Sequence, residues 1–186
     1  MKISTYSQFL FIFYILILNN YYAQFNQGGV ISTCEVCVPF DVIGGDLNED
    51  GYPDVVTASF WDNKIAYYQN DQNGGFLEQQ VISSEIEGAN TLFITDLNGD
   101  GRADILTAGF EDQIIWFENR GGNNFSEEQI VSNTITGVAD LFAIDLDGDT
   151  DNDIIAASSI ENKFVWFEND GNGSFSGENA LKKCLV

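Results

Sequence analysis

One short pattern occurs three times in this 186-residue chain and constrains its fold more than any other feature. The copies are Asp46-Leu47-Asn48-Glu49-Asp50-Gly51-Tyr52-Pro53-Asp54, Asp96-Leu97-Asn98-Gly99-Asp100-Gly101-Arg102-Ala103-Asp104 and Asp145-Leu146-Asp147-Gly148-Asp149-Thr150-Asp151-Asn152-Asp153. Their starts lie 50 and 49 residues apart. A fixed period of this size is the signature of a repeat architecture. Each copy runs straight into an apolar, β-branched stretch (Val55-Val56-Thr57, Ile105-Leu106-Thr107, Ile154-Ile155-Ala156), so each loop feeds a strand rather than a helix.

The residue types point to a hard cation. Side-chain oxygens at positions one, three, five and nine face inward when so short a loop wraps an ion. The candidate ligands are therefore Asp46, Asn48, Asp50 and Asp54; Asp96, Asn98, Asp100 and Asp104; and Asp145, Asp147, Asp149 and Asp153. Position seven adds a main-chain carbonyl from Tyr52, Arg102 or Asp151. All-oxygen sets select Ca²⁺, about three ions here, one per loop. Gly51 and Gly101 occupy position six, where the chain turns sharply, and Thr150 departs from that pattern. Position twelve, where an EF-hand keeps a bidentate Glu, is Thr57, Thr107 or Ala156, so weak sites are expected. The second loop, with Gly101 and no proline, is expected to bind best. The competing reading is an Asp/Asn/Gly turn that hydrogen-bonds to itself. Three copies in register weigh against it.

Four short strands separated by turn signals make up each repeat. In the second copy these are Leu92-Phe93-Ile94, Ile105 to Phe110, Ile114 to Asn119, and a fourth beginning at Phe125. Such a unit is one antiparallel blade. The expected division is a signal peptide over 1–23, a spare outer strand with a C-x-x-C segment over 24–37, and blades over 38–87, 88–137 and 138–186. No segment longer than a turn has helical periodicity. Tyr67, Trp116 and Trp166 recur at one position and read as packing between blades rather than as a sugar platform, as do Phe60 and Phe110.

Lys2, the apolar run from Phe9 to Leu18 and Ala23 form a secretory signal pattern too short to span a bilayer. Secretion to the extracellular space is therefore expected, with no membrane span after signal removal. The net charge is −22, and the three loops hold four, three and five of the 29 carboxylates. Only seven Lys and Arg are present, so nothing neutralises phosphates and nucleic acid is excluded as a partner. Histidine is absent, which removes Ser-His and Cys-His nucleophile pairs. No catalytic residue is assigned. Cys34 and Cys37 suit a local disulfide in an oxidising compartment, with Cys184 left over; their pairing stays open.

The pattern Asp-x-(Asp/Asn)-x-Asp-Gly-x-x-Asp with its following strand resembles the FG-GAP/VCBS repeat, the calcium-loop repeat of integrin-α-like β-propellers. The closing Trp116-Phe117-Glu118-Asn119 and its Gly/Asn turn are similar to secreted bacterial members. The resemblance implies an all-β fold: a partial β-propeller of about three four-stranded antiparallel blades, with calcium at the loop positions named above. Rings take about four to eight blades, so three do not close one. A fragment of a longer propeller is favoured over several chains completing a ring, and open blade faces are expected to promote self-association. The function implied is a secreted, non-catalytic module binding an extracellular protein or glycan. The alternative is a non-catalytic propeller fragment of a secreted carbohydrate-active enzyme such as a polysaccharide lyase.

Overall fold

A computed structural model describes residue 31 and residues 38–111 and 113–183. The signal segment, most of the spare-strand segment, and Cys34, Cys37 and Cys184 lie outside the described residues. The apolar stretch that follows each Asp loop becomes strand, and no helix occurs among the described residues. No described helix is long and apolar enough to cross a membrane.

Among the described residues, twelve strands form three four-stranded antiparallel sheets. Blade 1 comprises β1 (Pro39–Gly45), β2 (Asp54–Ser59), β3 (Lys64–Tyr68) and β4 (Gln80–Ser83). Blade 2 comprises β5 (Ala89–Thr95), β6 (Asp104–Gly109), β7 (Ile114–Phe117) and β8 (Gln129–Ser132). Blade 3 comprises β9 (Val138–Ile144), β10 (Asp153–Ser158), β11 (Lys163–Phe167) and β12 (Asn179–Lys183). Strand order within each sheet follows the chain, and the first strands β1, β5 and β9 neighbour one another in series. The three sheets form part of a β-propeller and do not close into a ring.

The fourth strand begins later than its sequence predicts. Phe76, Phe125 and Phe175 each make only a single bridge, to Asn70, Asn119 and Asn169, and regular pairing resumes at Gln80, Gln129 and Asn179. Ser126 shows why in blade 2. Its N–H donates to the Glu118 carbonyl while its Oγ accepts from the Glu118 N–H, so a side chain replaces one rung of the ladder.

Two hydrophobic seams hold the blades together. Leu47, Val56, Ala58, Ile65, Tyr67 and Ile86 of blade 1 meet Ala89, Leu92, Ile105, Ile115 and Phe117 of blade 2. Blade 2 turns its alternate residues Leu106, Ala108, Ile114 and Trp116 the other way, against Leu141, Ile154, Val165 and Phe167 of blade 3. Every residue of β6 and β7 is consequently buried. A strand with two covered faces has no use for polar alternation, which is why Ile105-Leu106 and Ile114-Ile115 run as adjacent apolar pairs. Tyr67 and Trp116 do pack between blades. Phe60 and Phe110 lie just past the ends of β2 and β6, apart from the two buried clusters, and their rings still meet across blades 1 and 2 with centroids 6.0 Å apart.

Candidate metal centre

The loops 46–53, 96–103 and 145–152 each join the first strand of a sheet to the second, so they occupy the same edge of every blade. Their backbones agree closely. Position six has φ of 86° at Gly51, 87° at Gly101 and 85° at Thr150. Thr150 therefore takes the turn that its glycine counterparts take freely, at a cost of about 1 kcal/mol for a residue with a Cβ. The position-one carboxylate organises each turn. Asp46 accepts from the N–H groups of Asp50 and Gly51, Asp96 from Gly99 and Gly101, and Asp145 from Gly148 and Thr150.

Positions three and five repeat one another's role. Asn48, Asn98 and Asp147 accept from the N–H two residues on, and Asp50, Asp100 and Asp149 do the same for Tyr52, Arg102 and Asp151. The second oxygen of each carboxylate distinguishes the loops. In the first loop Asp50 Oδ2 accepts from Asn48 and from Gln72, and the Gln72 amide is the main reason that its carboxyl is held below the usual range. In the second loop Arg102 Nη1 lies 2.6 Å from Asp100 Oδ2, so a guanidinium already stands at that carboxylate. Among the described residues no such cation stands at the third loop. It alone, among the described residues, brings three carboxylates (Asp145, Asp147 and Asp149) within 4.8 Å of one another. Desolvation, and then the charge of Asp149, raises the Asp147 and Asp151 carboxyls. The expectation that the second loop is best suited to a cation thus meets an obstacle in Arg102, a side chain whose sequence position suggested only a carbonyl.

Position nine is different in kind. Asp54, Asp104 and Asp153 are fully buried. Each accepts from the N–H at loop position two (Leu47, Leu97, Leu146) and from that of Asn70, Asn119 or Asn169 at the end of the third strand. One carboxylate thereby fixes the loop to its own sheet. Burial pushes the Asp104 carboxyl up to about 6, with Asp100 and Asp96 adding to the rise and the Asn119 and Leu97 N–H groups opposing it. Tyr67 donates to Asp54 Oδ2 at 2.8 Å, and burial together with that carboxylate raises its phenol so that it stays protonated.

Asparagines outside the loop motif anchor the loops. Asn119 Nδ2 donates to the carbonyls of Leu47 and Ala103, and Asn169 Nδ2 to those of Leu97 and Asn152. Each buried amide thus ties a loop of its own blade to the loop of the preceding blade. Among the described residues, the Asn70 amide reaches only the Pro53 carbonyl. The signal was present in the sequence as an Asn recurring at three equivalent strand ends, Asn70, Asn119 and Asn169.

At the opposite edge, Phe40, Phe60, Trp61 and Phe110 line a cleft of about 320 Å³ together with Asn90 and Ser159. Trp61 and Phe40 are largely exposed.

Comparison with known proteins identifies the repeat. In sequence, no curated protein matches. The solved structure of an Agrocybe aegerita lectin, described for its specific recognition of non-reducing terminal N-acetylglucosamine, superposes with a TM-score of 0.58 at 24% identity. The match covers 77% of this chain and 38% of the lectin, so this chain spans well under half of that protein. The Photorhabdus luminescens Tc holotoxin pore gives a TM-score of 0.45 at 18% identity, over 76% of this chain and 7% of its own. The family model of the FG-GAP-like repeat, whose repeats generally build non-catalytic binding modules, matches residues 46–107 and 96–156. That stretch is more than half of the chain, and this protein belongs to the FG-GAP-like repeat family.

Proposed function

We propose that this chain is a secreted, non-catalytic binding module whose blades are stabilised by calcium in the three Asp loops, and that it binds an extracellular protein or glycan. The observation that carries this reading is the recurrence of one all-oxygen loop at the same edge of three sheets, with Asp145, Asp147 and Asp149 gathered in the third. A hard cation suits that donor set, and packing three carboxylates together without one is repulsive. The ion would be held by Asp46, Asn48, Asp50 and Asp54 with the Tyr52 carbonyl, and by the equivalent residues of the other two loops. Bound there, it adds charge compensation to a turn whose hydrogen bonds are already made.

The ligand-facing surface in this reading is the aromatic cleft at the other edge, where Trp61 and Phe40 offer exposed rings. Aromatic faces of this kind suit the apolar face of a sugar, and the lectin relative makes terminal N-acetylglucosamine the first glycan to test.

Calorimetric titration of calcium into the chain, paired with thermal melts in EGTA and in millimolar calcium, tests the metal. Sites of about 10⁻⁴ M in calcium near 10⁻³ M contribute about 1.4 kcal/mol each, or about 4 kcal/mol for three. Coincident melts and no heat of binding would return the loops to self-bonded turns.

A further inference from the structure

Asparagine is followed directly by glycine at three places in the chain: Asn73-Gly74, Asn98-Gly99 and Asn172-Gly173. Such a pair carries a reaction of its own. The glycine amide nitrogen can attack the asparagine side-chain carbonyl, and a residue without Cβ leaves that approach open. The first and third pairs lie in the turns before the fourth strands of blades 1 and 3, and the second lies in an Asp loop. Their surroundings differ, and one of them has its reacting atoms assembled.

At Asn98-Gly99 each reacting group has a suitable neighbour. The Gly99 N–H, the nucleophile, donates to Asp96 Oδ1 at 2.8 Å, so a carboxylate stands where the proton must go. Asn98 Oδ1 gains charge as its carbonyl is attacked, and it accepts from the Asp100 N–H at 3.1 Å. Asn98 Nδ2, the leaving group, makes no hydrogen bond among the described residues. Gly99 is exposed, so water reaches the site.

The other two pairs are arranged differently. Asn73 and Asn172 each donate their side-chain nitrogen to the carbonyl two residues back, Asp71 at 2.8 Å and Asp170 at 3.2 Å. The Asp71 and Asp170 carboxylates accept from the asparagine N–H and from Gly75 or Ser174, one residue beyond the reacting glycine. Gly173 is moreover wedged beside Trp116, whose ring lies 2.4 Å from where a Cβ would sit, which holds that turn fixed. In the first Asp loop Asn48 is followed by Glu49 rather than glycine, and its Nδ2 donates to Asp50 at 3.1 Å. The third loop already carries Asp147-Gly148 at this place.

We propose that Asn98 is a self-modification site, which converts to aspartate and isoaspartate with water as the only co-reactant. Asp96 takes the proton from Gly99 N as that nitrogen bonds to Asn98 Cγ, and the Asp100 N–H holds the resulting oxyanion. The bond from Cγ to Nδ2 then breaks, the proton passes to the departing nitrogen, and ammonia leaves a five-membered succinimide. Water opens the ring at either carbonyl. Cleavage of the new Cγ–N bond gives aspartate, and cleavage of the original peptide bond gives isoaspartate. One water is consumed and one ammonia released, with no oxidation. Both products add a carboxylate. The aspartate gives the second loop the Asp-x-Asp-Gly-Asp run of Asp145 to Asp149, whereas isoaspartate lengthens the main chain by one carbon and displaces the later loop positions. The second loop thus changes its charge with age. The groups that bring this about are the chain's own, so the proposal stands apart from calcium binding.

The test is prolonged warm storage of the full chain near neutral pH in EGTA, followed by digestion and mass spectrometry of each asparagine peptide. In the folded chain Asn98 should convert about tenfold or more faster than Asn73 and Asn172. Asn48 should stay intact. In urea, where only the dipeptide matters, the three Asn-Gly pairs should converge. Isoaspartate should accompany aspartate, and hydroxylamine should trap the succinimide, because direct hydrolysis of the amide gives neither. Asp96→Asn removes the proton acceptor and, with folding checked by circular dichroism, should slow Asn98 to the rate of the other two. Three results would overturn the proposal: Asn98 converting no faster than Asn73 or Asn172 in the folded chain, aspartate with neither isoaspartate nor trapped succinimide, or an unchanged rate in folded Asp96→Asn.

Discussion

The side-chain amide of Asn169 donates to the main-chain carbonyl of Leu97 at 2.8 Å, across 72 residues of sequence and from one sheet to the next. The same amide holds the Asn152 carbonyl, and the Asn169 N–H meets the buried carboxylate of Asp153. One residue therefore joins its own loop, its own sheet and the neighbouring blade. Asn119 repeats the arrangement at the first seam.

Removing either amide leaves two carbonyls without their partner in a buried setting. Asn119→Ala and Asn169→Ala should each cost about 2 kcal/mol, read as a shift of the urea midpoint at unchanged slope. A loss below about 0.5 kcal/mol would mean that water satisfies these carbonyls and that the apolar seam alone carries the blades.

The second prediction concerns Gly173. A methyl group there meets Trp116, and the residue's φ is 76°. Gly173→Ala combines overpacking with a left-handed backbone and should cost about 2–3 kcal/mol. The substitution Gly51→Ala shares the positive φ but meets nothing within 4 Å, so it should cost about 1 kcal/mol. Equal losses in thermal melts would show that backbone strain, rather than the Trp116 contact, sets the price.

Arg102 offers a test of the loops themselves. Its guanidinium on Asp100 competes with any cation at that carboxylate, and truncation to alanine keeps the main-chain carbonyl at position seven. Arg102→Ala should tighten calcium binding at the second loop severalfold, whereas Asp147→Asn should weaken the third, which alone gathers three carboxylates. Calorimetric titration of the two variants separates these effects by sign.

The fourth prediction is a pH dependence in EGTA. The Asp104 carboxyl is pushed up from its ordinary 3.8 to about 6, chiefly by burial. Between those values the native chain holds a proton that the unfolded chain has released, so this group's contribution is complete below about pH 4 and is lost as pH rises through about 6. Asp147 and Asp151 are raised and act in the same direction, while Glu161, lowered first by Lys163, acts in the opposite one. Asp104→Asn should flatten the fall in stability across this window by on the order of 2 kcal/mol. An unchanged slope in urea titrations at pH 4, 5 and 6 would exclude Asp104 as its source.

Much of this arrangement was legible in the chain. The Asp loops carried their own spacing, and the apolar stretches after them could only be strands, so three antiparallel blades followed. The packing between blades was marked by the recurring aromatic position of Tyr67 and Trp116. What stayed hidden depended on contacts between residues far apart in sequence. Asn119 looks like the end of a strand until Leu47 is placed beside it. Arg102 looks like a carbonyl donor until its side chain folds back on Asp100. Phe60 and Phe110 meet across two blades as their sequence positions suggest, but at the strand ends rather than in the buried clusters.

The unlike partners of Tyr67 and Trp116 have a consequence for how such a gene can change. The repeats share their loops and strand order, yet each seam is matched by size: a phenol with Asn123, an indole with Gly173. Exchanging the second and third units would set Tyr67 against a glycine, leaving a gap, and would crowd an indole against an asparagine. Shuffling that preserves the reading frame and every loop would still be counted against by these two joints. The order of the copies is thus constrained by packing separately from their number.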